Sequence, residues 1–435
     1  MQSFKIKGPV KLSGEITPQG AKNEALQIIS AVLLTSEKVR IENIPAIKDV
    51  LKLIEILNSL GVEVTKINTN TYEFRAANIN IDYMSSPDFI QQGGSLRGSV
   101  MIMGPLVARF GKTIIPKPGG DKIGRRRMDT HFEGIQKLGA KFEYDEKNYL
   151  FRVDGKDLKG TFILLDEPSV TGTANITMAA VLAKGDTTIY NAACEPYNQQ
   201  LCQMLVSMGA KISGIGSNKL IIEGVESLGG CTHRCLPDMI EIGSFIGLAA
   251  MTNSALRIKD VRYDMLGNIP NVFRKLGIQF ELEGDDIVIP EQDVYEIQNF
   301  IDGSILTIAD GPWPLFTPDL ISIALVTAIQ AKGNVLIHQK MFESRLFFVD
   351  NLIDMGAQII LNDPHRATVM GLARTQRLRG ITMRSPDIRA GVSLLIAALS
   401  AEGESTIHNI EQIDRGYENI EGRLNALGAH IVRVD

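Results

Sequence analysis

The sequence predicts an α/β protein of two domains, each made of three copies of one helix–strand unit of roughly 70 residues. Three observations predict it. A helix-ending glycine recurs at positions 61, 139, 209, 277, 356 and 428, at spacings of 78, 70, 68, 79 and 72 residues. Prolines at 18, 87, 168, 237, 318 and 386 each precede a helical pattern on the same beat. A short alternating strand follows a small-residue loop six times: Lys38–Ile41, Lys112–Ile115, Asp186–Ile189, Ala255–Ile258, Asn334–Ile337 and Glu404–Ile407. Repeats of this length exceed those of most solenoids, so closed domains are expected rather than a linear stack.

Each element has a physical reason. Gly after Leu, Met or a like residue suits a helix C-terminus, where a left-handed residue ends the helix. After five of the prolines comes a capping type: Asp88, Ser169, Asp238, Asp319 and Asp387. Residues 22–34 and Ile47–Leu60 carry apolar side chains at helical spacing. Tyr72–Arg75 and Leu220–Glu223 alternate as half-buried strands do. The sixth copy stops short of its last strands, and the N-terminal segment Phe4–Ile16 is expected to supply them. The domains then read as 20–236, carrying a mobile loop at 111–128, and as 1–19 with 237–435.

Composition excludes several classes. Apolar residues make 44% and charged residues 22% of 435, as in soluble globular chains. No apolar run reaches the roughly 18 residues of a membrane span. The N-terminus alternates apolar and charged residues, so no secretory leader is expected. A net charge of −5 argues against a nucleic-acid partner. Cys194, Cys202, Cys231 and Cys235 form no C-x-x-C pair, which predicts a reducing, cytoplasmic setting. The six histidines are scattered and no H-E-x-x-H occurs, so neither metal nor cofactor is expected.

If the copies are arranged alike, three helix N-termini converge in each domain. Such starts carry unpaired N–H groups and attract anions. Charged residues gather at these boundaries. Lys22-Asn23 opens the first helix and suits a phosphate; the plain alternative is a solvated helix start. Arg97 sits in a small, apolar stretch, either for a ligand or in a structural ion pair. Pro118–Asp129 holds three glycines in six residues, with Lys122, Arg125, Arg126, Arg127, Asp121 and Asp129. It reads as a lid, or as a glycine turn with a solvated basic run. Asp319 and Asp387 fit N-caps. Arg345, Arg389 and Arg415 are expected at helix beginnings, where a cation opposes the dipole unless an anion neutralises it. Two domains arranged so would enclose a cleft for a multiply anionic ligand.

These residues also carry a resemblance. Gly20-Ala-Lys22-Asn23, Leu106–Gly111, Pro118-Gly-Gly120 with Ile123-Gly124, Phe342–Arg345, Asp387-Ile-Arg389 and Ile413–Tyr417 resemble the enolpyruvyl transferases over essentially the whole chain. The resemblance implies a two-domain inside-out α/β barrel with threefold repeats. It implies transfer of the enolpyruvyl group of phosphoenolpyruvate to the 3-hydroxyl of UDP-N-acetylglucosamine, with loss of phosphate, by addition and elimination, in peptidoglycan synthesis. It implies small-molecule substrates, no metal, and a monomer or weak homo-oligomer.

By the same resemblance, Lys22, Arg126 and Arg415 hold the phosphate of phosphoenolpyruvate, and Arg97, Arg345 and Arg389 surround its carboxylate. Asn23 binds the sugar, Asp319 takes the hydroxyl proton and Asp387 assists the second proton transfer. Arg126, Arg127, Met128, Asp129, Thr130, Ser169, Val170, Thr171 and Asp319 line the uridine-diphosphate side, and Met341 also binds substrate. Two positions depart from the family. Asp121 stands where most relatives carry a proton-donating Cys, the target of fosfomycin, which predicts activity with fosfomycin insensitivity. Glu167 stands where relatives can carry Lys near the diphosphate. The alternatives are a non-catalytic UDP-sugar-binding paralogue and the shikimate-phosphate branch, whose Lys-Ser-x-Ser-Asn-Arg start is replaced here by Lys22-Asn23-Glu24.

Overall fold

A computed structural model describes residues 2–117, 119 and 128–435. Asp121, Arg126 and Arg127 therefore lie outside the described residues. The chain forms two compact units. Of the described residues, 20–117, 119 and 128–236 make the first unit, and 2–19 with 237–435 make the second.

Each repeat opens with a core helix. In the first unit these are α1 (Lys22–Ala31), α2 (Met103–Phe110) and α3 (Val170–Ala180). In the second they are α4 (Met239–Thr252), α5 (Ile321–Ala328) and α6 (Ile388–Ser400). Every residue of α4, α5 and α6 is buried. A helix that is apolar all round belongs inside a core, and these three pack pairwise against one another. Ile321, Ile323, Leu325 and Val326 are fully buried, each contributing about 2 kcal/mol. A charge at Leu325 would break this core.

A strand follows each core helix, then an outer helix with one buried face. In Lys48–Ser59 that face is Val50, Leu53, Ile54, Ile56 and Leu57. The outer helices end as the repeated glycine predicts: Gly61, Gly139, Gly209, Gly277, Gly356 and Gly428 all have φ between +94° and +108°. A side chain is strained there, and at Gly277 a Cβ would also strike the Glu296 backbone.

The strand after each core helix pairs antiparallel with a following hairpin and, in most repeats, parallel with a strand from the neighbouring repeat. Asn334–His338, for example, lies between Arg366–Met370 and Leu306–Ala309. Cys231–Arg234 returns parallel to Lys38–Glu42 and closes the first unit. In the second, Ser3–Gly8 lies antiparallel to both Gly403–His408 and Ile431–Val434, and Ser13–Ile16 runs parallel to Ala255–Ile258. The N-terminal segment thus fills the strands missing from the sixth copy.

The proline beat needs one correction. Pro87 does not lead into a core helix. It opens Pro87–Gly94, part of a helical insertion with Ile81–Ser85 and Arg97–Ile102. Among the described residues, the adjoining sheet has three strands where the other five have four. The cap there is Ser86, which accepts the Phe89 N–H at 3.2 Å, not Asp88. Proline with a capping residue marks any helix start, so it cannot say which helix begins.

Candidate functional site

In the second unit three aspartates lie at or just before helix starts, and two arginines pair with one of them. Asp238 caps α4, accepting the Ile240 N–H at 2.9 Å. Asp387 caps α6, accepting Arg389 N–H at 2.7 Å and Ala390 N–H at 2.9 Å. The turn Pro318–Leu320 that runs into α5 is capped instead by Thr317, whose hydroxyl accepts the Asp319 N–H at 3.4 Å. Asp319 is thereby released from capping. Its Oδ1 lies 2.7 Å from Nη2 of Arg345 and its Oδ2 3.4 Å from Nη2 of Arg389.

Both guanidiniums are enclosed. Arg345 lies over the Phe342 ring at 4.6 Å and donates to the Pro318 carbonyl at 3.3 Å. Arg389 lies over the buried Tyr417 ring at 5.5 Å, and the Tyr417 hydroxyl is 2.9 Å from Ser244 Oγ. Burial works against the charge on Arg389, but Tyr417, Asp319 and Asp238 hold its pKa above the ordinary value. Burial pushes the Tyr417 hydroxyl up to about 12, with Arg389 opposing. Among the described residues, Nε of Arg345 and Nη1 of Arg389 are buried without a hydrogen-bond partner. Buried donors of this kind are costly unless something accepts from them.

Only Arg389 occupies a helix beginning. Arg345 lies in the turns ahead of Val349–Asp354, and Arg415 ends the turn Ile410–Arg415, donating to Gln412 Oε1 at 2.8 Å. The expectation of three misplaced cations is corrected to one. Short turns interrupt the helical pattern at the other two, and periodicity does not register them. Met341 is partly exposed, and its N–H is 3.3 Å from Asp310 Oδ2. Asp310 is buried and also accepts Gln339 Nε2 and the Lys340 N–H. Burial holds its carboxyl above the ordinary value, while the Lys340 and Met341 N–H groups and Arg345 pull it down.

In the first unit, Lys22 Nζ is 2.7 Å from Asp49 Oδ2, with the two side chains 9% and 11% exposed. Asn23 is next to it in the first turn of α1, half-buried. Arg97 starts the turn Arg97–Ile102. His131 is buried, in Asp129–Lys137. Its Nδ1 accepts from Asn175 Nδ2 at 2.9 Å, which leaves the proton on Nε2, 3.0 Å from Thr171 Oγ1. Burial, then Arg97, depresses its pKa to about 3, so the ring is neutral. Ser169 caps α3 at the Gly172 N–H, and the Val170 carbonyl accepts Asn198 Nδ2 at 3.0 Å. Met128 precedes Asp129 and Thr130, and Thr130 Oγ1 is 3.4 Å from Glu167 Oε1.

Sequence reasoning missed Asp49, His131, Asp310 and Tyr417, and took Asp238 for a cap alone. Asp310-Gly311-Pro312 at the end of a strand was a readable signal. The others become visible only through partners far away in the chain. Chemically, the second unit offers a carboxylate held by two guanidiniums with spare donors. The first offers a buried ammonium at an uncapped helix start and, on another helix, a neutral imidazole.

Comparison places these residues in a family. A family model described as EPSP synthase (3-phosphoshikimate 1-carboxyvinyltransferase) matches residues 6–424. A UDP-N-acetylglucosamine 1-carboxyvinyltransferase of Bacteroides fragilis is 66% identical over 434 residues, covering 100% of both chains. Those of Porphyromonas gingivalis and Bradyrhizobium diazoefficiens are 64% and 48% identical, covering 100% and 99% of this chain and 100% and 97% of their own. The enolpyruvyl transferase NikO from Streptomyces tendae superposes with a TM-score of 0.87 at 21% identity, covering 100% of this chain and 99% of its own. EPSP synthase from Acinetobacter baumannii does so with a TM-score of 0.74 at 17% identity, over 100% of each chain. The chain belongs to the enolpyruvyl transferase family, in the group of the UDP-N-acetylglucosamine 1-carboxyvinyltransferases.

Proposed function

We propose that the protein transfers the enolpyruvyl group of phosphoenolpyruvate to the 3-hydroxyl of UDP-N-acetylglucosamine and releases phosphate. This is the first committed step of peptidoglycan synthesis, carried out in the cytoplasm by a monomer or weak homo-oligomer. The named relatives support the substrates. The observation that carries the chemistry is Asp319 held by Arg345 and Arg389, two guanidiniums with donors to spare.

In the addition step, the sugar 3-oxygen bonds to C2 of phosphoenolpyruvate, its proton passes to Asp319 and C3 gains a proton from an acid. The substrate carboxylate competes with Asp319 for Arg345 and Arg389, and as it takes their donors the aspartate becomes the stronger base. In the elimination step, C3 loses a proton, the C2–O bond to phosphate breaks and phosphate leaves. Asp387 assists this step while its Oδ1 remains bound to the start of α6. Lys22 and Arg415, with Arg126, hold the leaving phosphate; Arg97 completes the cationic surround. Asn23 orients the sugar. Ser169–Thr171 and Arg127–Thr130 line the nucleotide, and Met341 also meets the substrates. Preorganised cations of this kind stabilise charge that develops in the transition state.

Asp121 supplies the acid in place of the family's usual thiol, and the protein is therefore insensitive to fosfomycin. Lys122 and Arg126 near it in sequence favour its ionised form, so the substrate anions must keep it protonated. Inorganic phosphate release on mixing both substrates tests the reading. Release should need both substrates, fall in Asp121→Asn and become fosfomycin-sensitive in Asp121→Cys. Binding of both substrates without release would move the function to a non-catalytic paralogue. Inactivation of the unmutated protein by stoichiometric fosfomycin would remove Asp121 from the acid role.

A further inference from the structure

Glu24 is fully buried and belongs to none of the clusters above. It is the third residue of α1, directly after Lys22 and Asn23. Its Oε1 is 3.0 Å from Nε2 of His233, and its Oε2 accepts the Leu236 N–H at 3.1 Å. Burial pushes the Glu24 carboxyl up, and His233 and Leu236 pull it back. At the same place the Leu236 carbonyl accepts the Ala21 N–H at 2.8 Å. The Leu236 residue therefore brackets the first turn of α1 with both its N–H and its carbonyl. α1 has no side-chain cap of its own at Ala21.

The second unit repeats the device. Glu241 is the third residue of α4 and is fully buried. It accepts the Gln19 N–H at 2.6 Å and pairs with Arg423 Nη1 at 2.6 Å. The Gln19 carbonyl accepts the Asp238 N–H at 2.8 Å. The position in the helix and the backbone bracket are the same, while the paired side chain is His in one unit and Arg in the other. A buried carboxylate carries a desolvation penalty of several kcal/mol, so its recurrence at both sites requires more than filling space.

We infer that Glu24, held by His233, is a positioning residue that fixes the uncapped first turn of α1 and with it Lys22 and Asn23. The inference rests on the proposal that Lys22 and Asn23 meet the substrates. Misplacing such groups by about 1 Å lowers rates on the order of 10²-fold.

Three variants of the full chain test it: Glu24→Ala, Glu24→Gln and the double variant Glu24→Leu/His233→Leu. Phosphate release gives kcat and KM for each substrate, and urea denaturation gives stability. Glu24→Ala should lose roughly 10²-fold in kcat/KM. Glu24→Gln should recover most of that, because its amide can still accept the Leu236 N–H and donate to an imidazole nitrogen. The double variant should regain stability, since an apolar pair replaces a buried polar one, yet keep the kcat/KM of Glu24→Ala. Recovery of kcat/KM together with stability would show a merely structural pair and overturn the inference, as would an unchanged Glu24→Ala. If Glu24→Ala does not fold, the same split is read on the double variant. If the unmutated protein releases no phosphate, the proposed function fails. The clamp is then judged by titrating UDP-N-acetylglucosamine into the same variants, where unchanged affinity refutes it.

Discussion

In the second unit, Asp238 and Asp387 cap α4 and α6, and Asp319 stands in the turn that leads into α5. In the first unit, the corresponding starts are an uncapped Ala21, the turn Arg97–Ile102 and the neutral cap Ser169. One repeat thus serves two electrostatic purposes. Acidic starts balance the helix dipole and hold Arg345 and Arg389 as a charged cluster. The first unit's starts carry no carboxylate cap, and the ammonium at one of them, Lys22, is held by Asp49. The difference lies in the residues at the helix starts, on a shared backbone plan.

Breaking the acidic cluster should have the largest effect. Asp319→Asn should lower phosphate release by about 10³-fold, the range for a lost general base. A rate within tenfold of the unmutated protein would assign the base elsewhere. In the first unit, Lys22→Met leaves Asp49 buried without its ammonium and should cost about 3–5 kcal/mol in urea denaturation. Adding Asp49→Leu should return most of that stability but none of the activity. Stability unchanged by Lys22→Met would mean that the pair is solvated.

A pH series sharpens the contrast further. The folded-state pKa of His131 is about 3, whereas the unfolded chain takes up this proton near the usual 6.5. The unfolded state therefore binds the proton first. The stability that neutral His131 contributes is complete above about pH 6.5 and is lost as pH falls from there toward 3. His131→Gln should flatten the acid limb of stability measured between pH 7.5 and 4.5. An identical limb would place that proton uptake at another group. The smallest effects belong to the caps. Ser169→Ala and Asp387→Ala should each lose about 1 kcal/mol through α3 and α6. A much larger loss in Asp387→Ala alone would show that its carboxylate also supports Arg389.

Much of the fold was legible in the chain. The six glycines need a left-handed backbone, a property of a single residue, and the structure gives all six a positive φ. The six alternating strands appeared at the expected positions, because alternation is local. The shortfall of the sixth copy located the N-terminal strands by counting alone. The helical insertion before α2 was not legible, because Ser86-Pro87 is as good a helix start as those of the core. The candidate site was legible as residue types at boundaries, but its pairings were not.

The sequence by itself determined the repeat, the strand that closes the second unit and the aspartates at its helix starts. Local rules suffice for these: backbone dihedral preference, side-chain periodicity and capping chemistry. Only the tertiary structure decided that Thr317 caps the turn before α5 and frees Asp319 for Arg345 and Arg389, that Asp49 holds Lys22, and that Glu24 turns back to His233 and Leu236. The distant partners among these stand 26, 70, 27, 209 and 212 residues apart along the chain. Charge pairing depends on distance and burial in space, which the order of residues does not carry.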